Sequence, residues 1–512
     1  MDLNLSREKI RFAKKVLDTE ISHEETMEMT VPDVQPDIFR VLDVYATAFI
    51  RSKDTEPGKV TVSGAAAVTV IYFEEDEVSL SKVKLELPFS VTAYEDEIDF
   101  DSKVAAKISV ASVDASIINT RKFVVKANFR TAVMCFNEEE TEICSGVETS
   151  DDMGIELLGG ELETCPYTRI KEKTFTIAEE LSLPSSKPDI GEILNTKVNL
   201  SAGDARLIGN KLILKGTVFV SLLYIADGND LESVDFETEF SQIMEFEELN
   251  EDCGFDIITM LTGAFFNVNS LLSTEKRTVT AELSAVAQCI SYERKNMSFI
   301  QDVYSTKFVL EETAADITIE NRGKRSVINN NMRHEIKTQN NITEIIAVTA
   351  QTGAVFVSDA DNASVLSAPV NISCIYKCDD GQLLSAKGCF ETEVNTKMSG
   401  AKNLFATCGC GTDIYAAIVG GDIEVRGSVD FIITEGESSA INAITDISYS
   451  EDEVIDTSEM ASVTIARIKK DATFWKLAKK HHSTPDIIMN ANDIESESDL
   501  LEGKMLIIPK KR

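Results

Sequence analysis

Val60-Thr-Val-Ser-Gly64, followed by Val68-Thr-Val-Ile-Tyr72, is the stretch whose reading decides the fold, because it occurs three times. It returns as Leu212-Ile-Leu-Lys-Gly216 with Val220-Ser-Leu-Leu-Tyr224, and again as Val365-Leu-Ser-Ala368 with Ile372-Ser-Cys-Ile-Tyr376. The closing tyrosines stand at 72, 224 and 376, so 224 − 72 and 376 − 224 both give a period of 152 residues. Within a copy the apolar period is two, as in Lys122-Phe-Val-Val-Lys-Ala-Asn-Phe129 and Arg277-Thr-Val-Thr-Ala-Glu-Leu283. Alternation rich in Val, Ile, Thr and Phe predicts half-buried antiparallel strands. Turn chemistry separates them at Glu56-Pro-Gly58, Ala226-Asp-Gly-Asn229 and Asp379-Asp-Gly381. Each copy is therefore expected to form a sandwich or a partly open barrel. A unit of this length is too long for a solenoid repeat, so the copies are read as tandem domains.

The same offset extends upstream. Gln35-Pro-Asp-Ile38 recurs as Lys187-Pro-Asp-Ile190, Pro32 as Pro184, and Glu20 as Glu172. In the third copy Pro-Asp-Ile is replaced by Asn340-Asn341-Ile342, and only Glu344-Ile345-Ile346 still echoes Glu192-Ile193-Leu194. Proline donates nothing to a strand ladder and aspartate caps a turn, so the element is read as a structured lead-in. A recognition role for Asp37 and Asp189 is the less favoured reading. The expected division is an N-terminal amphipathic segment 1–18, β repeats at 19–170, 171–322 and 323–445, an acidic linker 446–461, and a different domain over 462–512.

That last domain has its own pattern. Val463-Thr-Ile-Ala-Arg-Ile468 alternates like a strand, and Phe474, Leu477 and Ala478 recur at helical spacing behind a capping Thr473. Ser483-Thr484-Pro485-Asp486 opens a second short helix, and Gly503 turns the chain into a final strand, Met505 to Pro509. The order is strand, helix, helix, strand. Trp475 is expected in the core of this domain rather than on its surface. His481 and His482 are expected to end the first helix as a cationic terminus. Lys469, Lys470, Lys476, Lys479 and Lys480 make a basic face, either solvated or docked on an acidic surface.

Charge narrows the function classes. With 50 Lys plus Arg against 86 Asp plus Glu in 512 residues, the net charge of −36 repels phosphate backbones and anionic lipid, so no nucleic-acid partner is expected. No stretch is long and apolar enough to insert in a bilayer, and no secretory leader is evident, so a cytoplasmic location is expected. The ten cysteines follow no disulfide framework and read as reduced thiols. Cys408 and Cys410, with Cys374 and Cys378, lack zinc-type spacing, so no metal and no cofactor is expected. No phosphate loop, H-E-x-x-H or G-x-S-x-G occurs, four histidines give no persuasive triad, and pairs such as Glu74-Glu75 read as solvated surface. No catalytic residues are assigned.

The Pro-Asp-Ile element, the Val-x-Gly-x-x-x-Val-x-x-x-Tyr strands and the tandem order resemble the SPOCS domain of spore-forming Firmicutes. Thr473-Phe-Trp-Lys-Leu-Ala478, Asn490-Ala-Asn-Asp-Ile494 and Gly503-Lys-Met-Leu-Ile-Ile-Pro509 are similar to the LysM module. The resemblance implies a non-catalytic scaffold of spore coat and cortex assembly, mainly β with a small βααβ domain. It implies as partner the coat morphogenetic ATPase on the forespore surface, in the mother-cell cytoplasm. In LysM modules two loops form a groove for N-acetylglucosamine polymers. Here the resemblance places that groove on Asp471, Ala472, Thr473, Asn492, Ile494, Leu500 and Leu501. Asp471-Ala472 stands where the family has Gly-Asp, and Glu502-Gly503-Lys504 where it has Pro-Gly-Gln. Loss of the loop glycine removes a close backbone approach to sugar. The alternative reading keeps LysM on peptidoglycan with the β domains as spacers.

Overall fold

A computed structural model describes residues 4–148, 153–246, 249, 252–268, 276–360, 363–396, 404–456, 460–470, 472–496 and 500–510. The first copy contains β1 (Asn4–Thr30), β2 (Arg40–Glu56), β3 (Lys59–Phe73), β4 (Leu80–Tyr94), β5 (Lys103–Asn119) and β6 (Lys122–Glu148). The second contains β7 (Ile155–Thr164), β8 (Tyr167–Ser182), β9 (Ile190–Ile208), β10 (Lys211–Ala226), β11 (Leu231–Glu245), β12 (Gly254–Val268), β13 (Thr278–Tyr292) and β14 (Lys295–Ser305). The third contains β15 (Phe308–Ile336), β16 (Ile342–Thr352), β17 (Phe356–Ala360), β18 (Ala363–Cys378), β19 (Leu383–Thr396), β20 (Leu404–Cys410), β21 (Tyr415–Val419) and β22 (Asp422–Val454). The C-terminal domain is β23 (Val463–Arg467), α1 (Phe474–His481), α2 (Pro485–Ala491) and β24 (Met505–Pro509), in the order the sequence predicts.

Each copy is a sandwich. A meander, β2-β3-β4 in the first, packs on a sheet made by the opening strand and the closing hairpin, β1, β6 and β5. The first core joins Val68, Val70 and Tyr72 of β3 to Phe123, Val125 and Phe129 of β6. The second and third copies repeat this around Leu222 and Tyr224, and around Ile372 and Tyr376. The mainly antiparallel β class expected from the sequence is what the chain adopts.

The opening strand pairs with the closing strand in every copy: β1 with β6, β8 with β13, and β15 with β22. This pairing shifts the units relative to the boundaries expected from the motifs. Positions 18, 170 and 322 fall inside β1, β8 and β15, and 446–454 belongs to β22 rather than to a linker. The N-terminal segment is no appendage, since Asn4 to Lys15 already pairs with β6. Dividing the chain between 148 and 155 and between 305 and 308 leaves each of these pairings within one unit.

The copies are not separate beads. Leu42, Leu194 and Ile346 are 152 residues apart, as are Ile71, Leu223 and Ile375, and all six share one apolar cluster. Equivalent residues of three copies meet at one place only about a common axis, so the repeats close into an approximately three-fold ring. Sequence alternation explains how. Along β3, Val68, Val70 and Tyr72 face their own sandwich while Ile71 and Phe73 face the axis, so the strand is buried on both sides. Each fully buried aliphatic side chain there contributes about 1.5–3 kcal/mol.

Polar ties close each joint. Gln288 donates to Ala106 O (2.7 Å) and accepts from Ala106 N (2.8 Å) between copies two and one. Arg322 donates twice to Asp256, at 2.8 and 2.7 Å, between copies three and two. Buried Arg130 donates to Thr352 Oγ1 (2.9 Å) and Cys408 O (3.1 Å) between copies one and three. Cys408 is thus a joint residue with a thiol kept protonated by burial. Among the described residues no group of three or more metal-ligating side chains is placed to hold a metal, and no helix is long and apolar enough to cross a membrane.

Two outcomes are expected. Ile71→Ala should cost about 2–5 kcal/mol and lower the urea midpoint of all three repeats together, read by hydrogen exchange; a shift confined to copy one would mean that the copies fold independently. His23 lies between Phe89 and Phe129, ring centroids 5.8 and 5.4 Å away, and among the described residues neither of its buried nitrogens has a hydrogen-bond partner. Burial holds its pKa below the usual 6.5, against the nearby Glu25 carboxylate, which pulls it up. The unfolded chain therefore takes up that proton first, and stability falls as pH drops through about 6.5. His23→Phe should shrink the difference in melting temperature between neutral and mildly acidic buffer.

Candidate functional site

Two places bring together the residues singled out by the sequence. At the first, the Pro-Asp-Ile loop is locked by the motif tyrosine and by an arginine from the closing hairpin. Tyr72 Oη donates to Pro36 O at 3.0 Å and Tyr224 Oη to Pro188 O at 3.1 Å. Arg121 Nη1 donates to Asp37 Oδ1 (2.8 Å), and Arg277 Nη1 to Asp189 Oδ1 (2.6 Å). The same guanidinium groups reach Pro32 O and Pro184 O. Arg121 holds Asp37 below the usual carboxylate range, while burial pushes Tyr224 up to about 12, so the phenol keeps its donor proton. Ile38 and Ile190 are buried beneath the loop. Asp37 and Asp189 are engaged within the fold, consistent with a structural lead-in.

The motif glycine has an equally local reason. A Cβ on Gly64 would lie 2.0 Å from Phe49 O and 2.7 Å from the ring of Phe89; one on Gly216 would lie 2.4 Å from Ser201 O and 2.5 Å from Phe240. Phe89 and Phe240 are the cross-strand partners of the two glycines. In the third copy Ala368 faces Thr392, so glycine and aromatic ring are lost together. The arginine is lost as well: Asp422 Oδ1 accepts from Thr338 N at 2.9 Å, and Asn341 Nδ2 donates to Asp379 at 3.0 Å. The arginines are the residues that sequence reasoning missed, although they occupy equivalent hairpin turns in copies one and two.

The second place is the C-terminal domain. Thr473 Oγ1 caps α1 by accepting from Lys476 N (3.1 Å), and Thr484 Oγ1 caps α2 by accepting from Ile487 N (3.2 Å). The helices lie on the β23–β24 hairpin around Phe474, Ile488, Leu506 and Ile508. Asn492 is spent internally: its amide donates to Ile488 O (2.7 Å) and Ile507 O (2.6 Å), and its oxygen accepts from Ile507 N (2.8 Å). Ile494 is buried, and Ala472 and Leu500 pack partly buried in the same cluster. Leu501 is 65% exposed, so among the described groove residues it is the one turned outward. Asp471 lies outside the described residues.

This domain is docked on the ring. Trp475 Nε1 donates to Asp302 Oδ2 (2.7 Å), and Lys479 Nζ reaches Asp302 Oδ1 (2.6 Å) and Glu312 Oε1 (3.4 Å). Tyr304 packs edge-on against the Trp475 ring at 4.8 Å and donates to Ser483 O at 2.8 Å. Trp475 is buried, as expected, yet much of its cover comes from β14 rather than from its own domain. Burial alone would raise Asp302, but the bonds from Lys479 and Trp475 more than reverse that and hold it below the usual range. Burial and the adjacent Lys480 push His481 down, while the last turn of α1 also carries the cations Lys479 and Lys480.

Residues 37–118 and 189–268 match the SipL, SPOCS domain family, and residues 466–509 match the LysM domain family. No curated protein and no solved structure matches the chain. The chain thus carries two SPOCS-type segments and a C-terminal LysM-type segment. Its architecture is SipL-like, the mark of a sporulation-associated adaptor capable of binding peptidoglycan, built from non-catalytic domain families. Both SPOCS matches begin on the aspartate that the arginine clamps.

Asp302→Ala combined with Tyr304→Ala should release the LysM domain. Limited proteolysis should then cut faster near 455–462, while the LysM signals in an NMR spectrum stay dispersed; an unchanged cutting rate would contradict the docking. Arg277→Ala should destabilise copy two by about 1.5–3 kcal/mol, read by its hydrogen exchange.

Proposed function

We propose that the chain is a non-catalytic adaptor of spore coat and cortex assembly, working in the mother-cell cytoplasm at the forespore surface. The ring is the rigid body, and the LysM domain docks on a coat morphogenetic protein, the ATPase that polymerises there. The observation that carries this reading is the way LysM is already used: its first helix grips a carboxylate and an aromatic ring of a protein surface through Lys479 and Trp475. Two features weaken the sugar reading: Asp471 stands at the place of the loop glycine, and the Asn492 amide is internally committed.

The loops carrying Asp471, Ala472, Thr473, Asn492, Ile494, Leu500 and Leu501 are the proposed contact surface, with Leu501 as its exposed apolar anchor. The second reading, retention on peptidoglycan through the same loops, is favoured only by the LysM match itself. Purified full-length chain should be captured by the recombinant coat ATPase and poorly retained on insoluble peptidoglycan. Leu501→Glu should weaken capture about tenfold or more without lowering the melting temperature. Strong glycan retention with no ATPase capture would replace the first reading by the second.

A further inference from the structure

Close to where the three copies meet, a cavity of about 350 Å³ opens between β2 and β5 of copy one, β9 of copy two, and β16, β18 and β19 of copy three. Tyr45, Lys197 and Thr349 are equivalent positions, 152 residues apart, and all three line it. A purely structural filler has no reason to differ so sharply among them. Two of the three are neutral; the other is an ammonium.

The remaining charges on the wall are already matched. Asp43 Oδ1 accepts from Val44 N at 2.9 Å and from Ser373 Oγ at 3.0 Å. Asp114 and Lys387 form an ion pair at 2.5 Å. Lys197 is different: among the described residues its ammonium has no hydrogen-bond or ion-pair partner, and the nearest groups that act on it are Cys410 and Asp235. Lys197 is exposed, while the protein atoms around it pull its pKa below that of a free lysine. A charge that gives up hydration without gaining a partner costs stability. A methionine would fill the same space without that cost, and a site that keeps such a charge is a candidate for function. Neutral polar side chains share the lining, among them Asn195 on the same strand as Lys197 and, on β18, Asn371, whose amide also donates to Ala111 O at 3.0 Å. One positive centre ringed by amides and hydroxyls in a concave site suits a small anion with several acceptor oxygens.

We propose that this cavity binds a small oxyanion, a carboxylate or a phosphate, with Lys197 as its counter-charge. Because its walls come from all three copies, such a ligand would also tie the ring together. This goes beyond the adaptor role and does not depend on it.

Cys389 lines the same cavity and is exposed, which makes its thiol a reporter. In full-length protein, inorganic phosphate and malonate are titrated separately at constant ionic strength against sodium chloride. Alkylation of Cys389 is followed by peptide mass spectrometry, and melting temperature in parallel. At least one of the two should slow alkylation saturably and raise the melting temperature, and which one does so identifies the oxyanion. Lys197→Met should weaken that effect about 10- to 100-fold, Lys197→Arg should keep it, and Lys197→Met without ligand should melt no lower than the parent. Lys197→Gln replaces the methionine variant should the latter not fold. No saturable effect of either anion on the parent protein, or equal protection in a folded variant lacking the ammonium, would overturn the proposal.

Discussion

A β strand that is apolar on both faces has to be covered twice, and this single constraint organises the molecule. β3, β10 and β18 each spend one face on their own sandwich. The other face, carried by Ile71, Leu223 and Ile375, has no second layer within the copy. Three such faces cover one another about an axis, and no copy alone can do so. The ring is therefore a consequence of the strand pattern, and the polar ties at Gln288, Arg322 and Arg130 fix its geometry. Buried polar groups of this kind add orientation, because each is satisfied only in one arrangement of the copies.

The recurring motif is a lock for the segment that crosses from one sheet of the sandwich to the other. Tyrosine, arginine and aspartate converge on the loop before Ile38 and before Ile190, satisfying carbonyls that would otherwise face the sandwich mouth unpaired. In the third copy, where no such arginine is placed, the loop is held by the Asp422 carboxylate accepting from the Thr338 backbone. The loop lost Pro-Asp-Ile in the same copy, and the strand lost its glycine and facing phenylalanine. These changes come as linked sets, since each partner matters only while the other is present.

Much of this was legible because it is local. Period-two alternation marked the strands, the 152-residue offset marked the copies, and capping residues with a left-handed Gly503 (φ +86) marked the LysM elements. Boundaries were read about fifteen residues late because the strongest signals, Pro-Asp-Ile and the tyrosine strand, lie mid-copy, whereas pairing partners such as β1 and β6 are far apart in sequence. The two-sided burial of Ile71 was hidden inside an ordinary apolar run. The LysM dock was hidden too: Asp302 and Tyr304 sit in β14, and nothing in that strand sets an aspartate-x-tyrosine apart from any other alternation. The cavity lysine was invisible for the same reason, as Lys197 reads as the polar side of a strand.

For an adaptor, a closed ring differs from a string of beads in what it transmits. A ring holds its LysM domain at a fixed place, next to Glu312 and Asp302, rather than at the end of a flexible array. Small-angle X-ray scattering of the full-length chain tests closure most directly. A closed ring should give a radius of gyration near that of one compact body of 512 residues, about 24 Å. Three sandwiches strung in line would give a value above about 33 Å, each being a separate compact domain, and that result would contradict the ring.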